Sequence, residues 1–243
     1  MTTMYDPDPA TLKKGAITAF FFVMGSAAFG PANFPDYWWL YGCFTVLIFI
    51  HTLYLIYRCE SFTTFTLSIL SSFVFSFGFA AAGLAHVVLL KDMGASGAEA
   101  TAVNAGLIVA MLAIYASIYF SASKFFPFCM TGNRVSRTWV QSTGLSAGLI
   151  AGVGTLASAA FVDSVSELTS SAVAVMGTFF ICVALLVYER HAIRGLRTLR
   201  SQEKSMPTPY TFMQIDEIRA ARNRWWLGRL FKWLASWRES PGT

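Results

Sequence analysis

The chain has 243 residues, 55% of them hydrophobic and 13% charged, with a formal net charge of +5. That balance excludes an ordinary soluble domain, whose surface needs nearer a quarter charged residues. The charges gather in a short N-terminal stretch, a few loops and a C-terminal tail; between them run apolar stretches that can span a bilayer, roughly 20 residues each at about 1.5 Å rise.

Six such stretches follow in chain order, at 15–30, 37–57, 62–90, 101–123, 141–162 and 168–188, and none contains Asp, Glu, Lys or Arg. In hydrocarbon each segment must satisfy its own backbone, so the expected fold is all-α, with six transmembrane helices. The domain plan is a cytosolic segment over 1–14, a six-helix membrane domain over 15–189 and a basic cytosolic tail over 190–243. Gly25, Gly30 and Pro31 predict an early break at the outer end of the first span. Residues 1–10 are acidic and polar with no cleavage pattern, so the first span reads as a retained anchor.

Basic residues set the expected orientation. On the N-terminal side lie Lys13, Lys14, Arg58, Lys124, Arg134 and Arg137, while the opposite side holds only Lys91 with Asp36, Asp92, Glu99, Asp163 and Glu167. The positive-inside rule then puts both termini in the cytosol. In the tail, 190–204 is basic and continues the sixth helix, Pro207 and Pro209 interrupt it, and 216–238 reads as an amphipathic helix. Ile218, Trp226, Leu230, Leu234 and Trp237 share its apolar face, which suits either the headgroup layer of the inner leaflet or a partner protein. The net charge follows from topology and points to no nucleic acid.

Chemistry-bearing patterns are few. Cys43, Cys59, Cys129 and Cys182 form no paired spacing and read as packing residues. The match Gly144-Leu145-Ser146-Ala147-Gly148 lies inside an apolar span, where a nucleophile elbow has no strand before it. His51 and His86 are the ionisable residues of the spans, and their depths differ by roughly 27 Å, which excludes one haem held between them. Each reads as a packing residue or a proton carrier. No enzyme, cofactor or metal is expected.

The third span carries Ser68, Ser72 and Ser76 four residues apart, hence on one face, with Phe62, Phe65 and Phe73 along the same helix. A hydroxyl stripe beside Phe rings suits either a pathway for a small solute or a close helix contact. Gly144, Gly148 and Gly152 make a small-residue ridge on the fifth span, for packing in the bundle or between subunits of a homo-oligomer.

Two segments carry a family resemblance. Asp6-Pro7-Asp8-Pro9-Ala10-Thr11-Leu12 stands where the acetate uptake transporters of bacteria, yeasts and protists have a stretch close to N-P-A-P-L-G-L. Cys59-Glu60-Ser61-Phe62, followed by Ser71-Ser72-Phe73, stands where they have a G-N-T-F-like segment and a small-small-Phe step, at an ungapped separation. Asp6, Asp8, Thr11, Cys59 and Glu60 depart from those motifs, and the tail is additional. The chain thus resembles that family over about 6–190. The resemblance implies a six-helix transporter or channel for monocarboxylates such as acetate, in ring-like oligomers, with Asp6, Pro7, Asp8, Pro9 and Leu12 as motif positions. Proton-coupled uptake follows if the acid crosses uncharged. The competing reading is a non-transporting accessory or scaffold subunit of a larger membrane complex.

Overall fold

The computed structural model describes residues 5–121, 126–137 and 167–225, together with residue 229. Five helices among them are long and apolar enough to cross a membrane. Residues 138–166, with the expected fifth span and the ridge of Gly144, Gly148 and Gly152, lie outside the described residues.

Helix α1 (Pro9–Ala27) starts six residues before the expected span, because Asp8 accepts the Thr11 N–H at 2.6 Å and Pro9 fits the first turn. The chain then bends at Ala28 into a short α2 (Phe29–Asn33), the break that Gly30 and Pro31 foreshadow. Helix α3 (Trp38–Tyr57) returns, and α4 (Phe62–Lys91) starts on a Ser61 cap. Helix α5 (Gly97–Phe120) begins with a reciprocal capping box of Ser96 and Glu99. Helix α6 (Glu167–Tyr188) is followed, after a break at Glu189, by α7 (Arg190–Glu203) and, later, by α8 (Ile215–Arg224).

Helix α4 is the centre of the bundle. It packs against α1, α5 and α6, and it is buried along most of its length. Gly83 lets α2 approach it closely: a Cβ there would sit 2.5 Å from the Phe29 side chain. The outward faces of the other helices are apolar, with Leu47, Val109, Met176 and Phe180 all well exposed. In water such a band would aggregate; in hydrocarbon it is solvated. Tyr37, Trp38 and Trp39 lie exposed at one end of α3, as an interfacial belt requires.

The ends of the bundle differ. At one end the N-terminal segment from Tyr5, the α3–α4 turn, residues 126–137 and the described residues after α6 converge into a cap. Its small sheet has the order β1-β2-β3. Strands β1 (Phe128–Thr131) and β2 (Arg134–Arg137) form an antiparallel hairpin, and β3 (Thr211–Phe212) adds in parallel to β2. The hairpin turns at Gly132-Asn133, with Gly132 at φ 60°, the left-handed conformation that a tight turn demands of its first central residue. These strands qualify the all-α expectation, which otherwise fits the described residues. The opposite end, with α2 and the α4–α5 turn, carries no such cap among the described residues.

The tail departs from expectation in what covers it. The helix expected over 216–238 is seen as α8, ending at Arg224, with Ile218 fully buried against the protein rather than facing lipid. Residues 226–228 and 230–243, with Trp226, Leu230, Leu234 and Trp237, lie outside the described residues. Helix α7 lays Ala192, Ile193, Leu196 and Leu199 onto the bundle end and leaves Arg190 and Arg200 in solvent.

Candidate functional site

The expected pathway residues lie along α4, which runs from the cap to the open end. Phe62 and Phe65, at its start, belong to the cap core. Phe62 meets Phe128 and Phe212 edge-on with centroids at 5.5 and 5.7 Å, and Phe65 meets Phe212 at 5.4 Å. Both rings are almost fully buried. Midway, Phe73 packs on Phe22 of α1 at 5.1 Å. The serines share a face as their spacing predicts, but their protons point into their own helix: Ser72 Oγ donates to the Ser68 carbonyl at 2.8 Å and Ser76 Oγ to the Ser72 carbonyl at 2.6 Å. Ser71, off that stripe, bonds the Tyr115 hydroxyl of α5 at 3.1 Å.

Above the Phe22–Phe73 contact lies a cavity of about 480 Å³, open on one side, which the linear order of residues did not reveal. Val23, Ser26 and Ala27 of α1, Tyr41 and Phe44 of α3, Phe75, Ser76 and Phe79 of α4, and Met111 and Leu112 of α5 contribute to its wall. It lies where α3, which packs on α1, and α5, which packs on α4, face each other across the α1–α4 contact. Its polar groups are hydroxyls. Ser26 Oγ donates to the Val23 carbonyl at 3.0 Å and Tyr41 to the Met24 carbonyl at 3.4 Å. Ser76, the outermost of the expected pathway serines, is the one that reaches this wall.

The motif residues near the N-terminus act at the cap. Asp8 caps α1, and its two bonds to Thr11 hold its carboxyl below the usual carboxylate range. Leu12 is buried, and Pro7 and Pro9 flank the cap. Asp6 keeps one carboxylate oxygen buried without a hydrogen-bond partner. Next to it Tyr5 donates to Glu189 Oε2 at 2.6 Å, under Arg137, whose guanidinium lies 4.4 Å from the Tyr5 ring and 3.6 Å from Glu189. Burial, then the Glu189 charge, pushes the Tyr5 hydroxyl far up. Arg222, also buried, donates to the carbonyls of Ile56 and Cys59 at 2.7 Å each and Leu55 at 3.4 Å, closing the C-terminal end of α3. Glu60 takes a bidentate pair from Arg219 at 2.7 and 2.9 Å, which lowers its pKa, and Thr63 donates to Glu203 at 2.6 Å. Burial raises the Cys59 thiol to about 11.

Of the two histidines, His51 is exposed on the outward face of α3. His86 is 2% exposed, its ring 4.8 Å from that of Phe34 and its Nδ1 without a hydrogen-bond partner. No group of three or more potential metal ligands is found among the described residues. The chain matches no family model, no curated protein and no solved structure.

Proposed function

We propose that this chain is a six-span membrane protein that moves small monocarboxylic acids such as acetate across a bilayer in their uncharged form. The observation that carries the reading is the cavity beside α4. Ser76, the last of the hydroxyl stripe, lines it, and the Phe22–Phe73 contact and then Phe65 and Phe62 succeed it along the same helix toward the cap. A carboxylate is prohibitively expensive in such surroundings, whereas a protonated acid needs only hydroxyl partners. Coupling to a proton gradient follows, since protonation on the more acidic side loads the pathway.

Topology supports the frame. Arg137 lies beside Glu189 at one end of α6, and Glu167 opens α6 at the other, about 33 Å away for 22 residues. Arg137 and Glu167 thus stand at opposite ends of the bundle, which supports a sixth crossing. The cap carries Arg58, Arg134, Arg137 and the arginines of α7 and α8, while Asp36, Asp92 and Glu99 belong to the open end; by the positive-inside rule the cap and both termini are cytosolic. Uptake of labelled acetate into proteoliposomes, with and without an inward acid gradient, tests the proposal. Flux above empty liposomes that rises with the gradient is expected; no flux for any short monocarboxylate overturns it.

A specific observation favours a second reading, a non-transporting subunit of a larger complex. The serine protons close back onto α4, and Ser71 ties α4 to α5, as packing contacts would. Purification separates the two: a homo-oligomer alone supports transport, and a stoichiometric set of other chains supports the subunit.

A further inference from the structure

We infer that the cavity beside α4 is a binding site for a neutral, apolar-bodied molecule that donates a single O–H hydrogen bond, and that it rejects anions of the same size. The inference rests on reading this cavity as the entrance of the transport route, and it concerns what the cavity recognises rather than what crosses.

Two features of the cavity lead there. The first is size. About 480 Å³ corresponds to roughly sixteen waters at ~30 Å³ each, far more than the four heavy atoms of acetate need. Volumes of this order hold ligands of ten or more heavy atoms. The second is the direction of its hydrogen bonds. Ser26 and Ser76 each donate their one proton to a backbone carbonyl, of Val23 at 3.0 Å and Ser72 at 2.6 Å, whereas Tyr41 reaches the Met24 carbonyl only at 3.4 Å, longer than an ordinary hydroxyl bond. A hydroxyl whose proton is engaged offers only lone pairs. The two serines of the wall therefore accept and do not donate. A carboxylate, which is acceptor-only, meets lone pair against lone pair and loses its hydration without replacement. An alcohol or a protonated acid presents the missing proton. Phe44, Phe79 and Leu112 supply the apolar wall for the rest of the molecule. Tyr37 is the remaining hydroxyl of the lining; it is 54% exposed, at the rim rather than in the wall.

The full-length chain in nanodiscs tests this with three probes of matched length: 1-decanol, decanoate and methyl decanoate, each radiolabelled and corrected against empty nanodiscs. Saturable binding of decanol is expected. The ester, which has no proton to give, should bind about tenfold more weakly, the value of one hydrogen bond. Decanoate at pH 8 should also bind at least tenfold more weakly than decanol, and should recover as pH falls toward the ordinary carboxyl range of about 4–5. Ser26→Ala and Ser76→Ala together should bring decanol close to the ester, and Ala27→Phe, which puts six ring carbons into the cavity, should weaken saturable binding of all three. Decanoate binding as tightly as decanol at pH 8, an ester equal to the alcohol in the unaltered protein, or a co-purified phospholipid that decanol does not displace would each overturn the inference. Its failure is separable from that of the transport reading: saturable decanol binding without acetate flux removes transport alone, and acetate flux without a decanol site removes the inference alone.

Discussion

Replacing Arg222 by alanine is the sharpest probe of how the tail is held. Its guanidinium makes two short bonds to the Ile56 and Cys59 carbonyls and a longer one to Leu55, at a residue only 7% exposed. Hydrogen bonds from a charged donor contribute about 1.5–3 kcal/mol each, so the two short ones together give roughly 3–6 kcal/mol. Water entering the vacated space restores part of that, leaving a net loss of about 3 kcal/mol. At 1.4 kcal/mol per decade, the opening of α8 from the end of α3 becomes roughly a hundredfold more frequent. Amide hydrogen exchange over 215–224, read by mass spectrometry in detergent or nanodiscs, reports that opening directly. Arg222→Lys should fall between, because an ammonium keeps the charge but not the fork that reaches carbonyls on both sides. Exchange over 215–224 that rises less than fivefold in Arg222→Ala would refute the reasoning, and would mean that Ile218 and its apolar neighbours hold the helix without the arginine.

Four further outcomes follow from the cap. Tyr5→Phe should destabilise the protein by about 1–3 kcal/mol, read by thermal unfolding, because it leaves a buried carboxylate oxygen of Glu189 without its donor. The Tyr5 hydroxyl has a raised pKa in the folded state, so its stabilisation is fully present below its ordinary value near 10 and is lost as pH rises beyond it; alkaline unfolding above pH 10 should be blunted in Tyr5→Phe. Glu60 has a lowered pKa, so its contribution is present above the usual glutamate value and fades as pH falls below about 4; Glu60→Gln should flatten that acid limb, with at most ~1 kcal/mol at neutral pH because the pair is half exposed and screened by salt. Cys129 is exposed, whereas Cys59 is buried with a thiol near 11, so a membrane-impermeant maleimide at pH 7.5 should label Cys129 from the side of the membrane that carries the cap and leave Cys59 untouched until the tail is released.

The long charge-free runs were legible because hydrocarbon tolerates no alternative to a helix, and so was the break near Gly30 and Pro31. The cap was less so. Gly132-Asn133 between short alternating runs is a hairpin signal, but it sits in a loop that topology alone had labelled as a connection. Ile218 was correctly placed on an apolar face, yet periodicity says which residues share a face and not what covers them; here the end of the bundle does. The serine stripe had the right spacing, while the direction in which each hydroxyl sends its proton depends on the local carbonyl and leaves no mark in the order of residues. The pairing of Tyr5 with Glu189, 184 residues apart, had no local signal at all.

That pairing orders events in time. Spans emerging from the ribosome can insert one after another, each satisfying its own backbone, but the cap has no early version. Tyr5 waits for Glu189, and the end of α3 waits for Arg222, more than 160 residues later. Contacts this distant in sequence are the slow ones to form. Glu189 can therefore pair only after about four-fifths of the 243 residues have been made, and Arg222 later still. A chain cut short before Arg222 carries its apolar helices but leaves the carbonyls of Leu55, Ile56 and Cys59 at the end of α3 without that donor. The cap is thus completed by its most C-terminal described helix, which closes the end of a helix made more than 160 residues earlier.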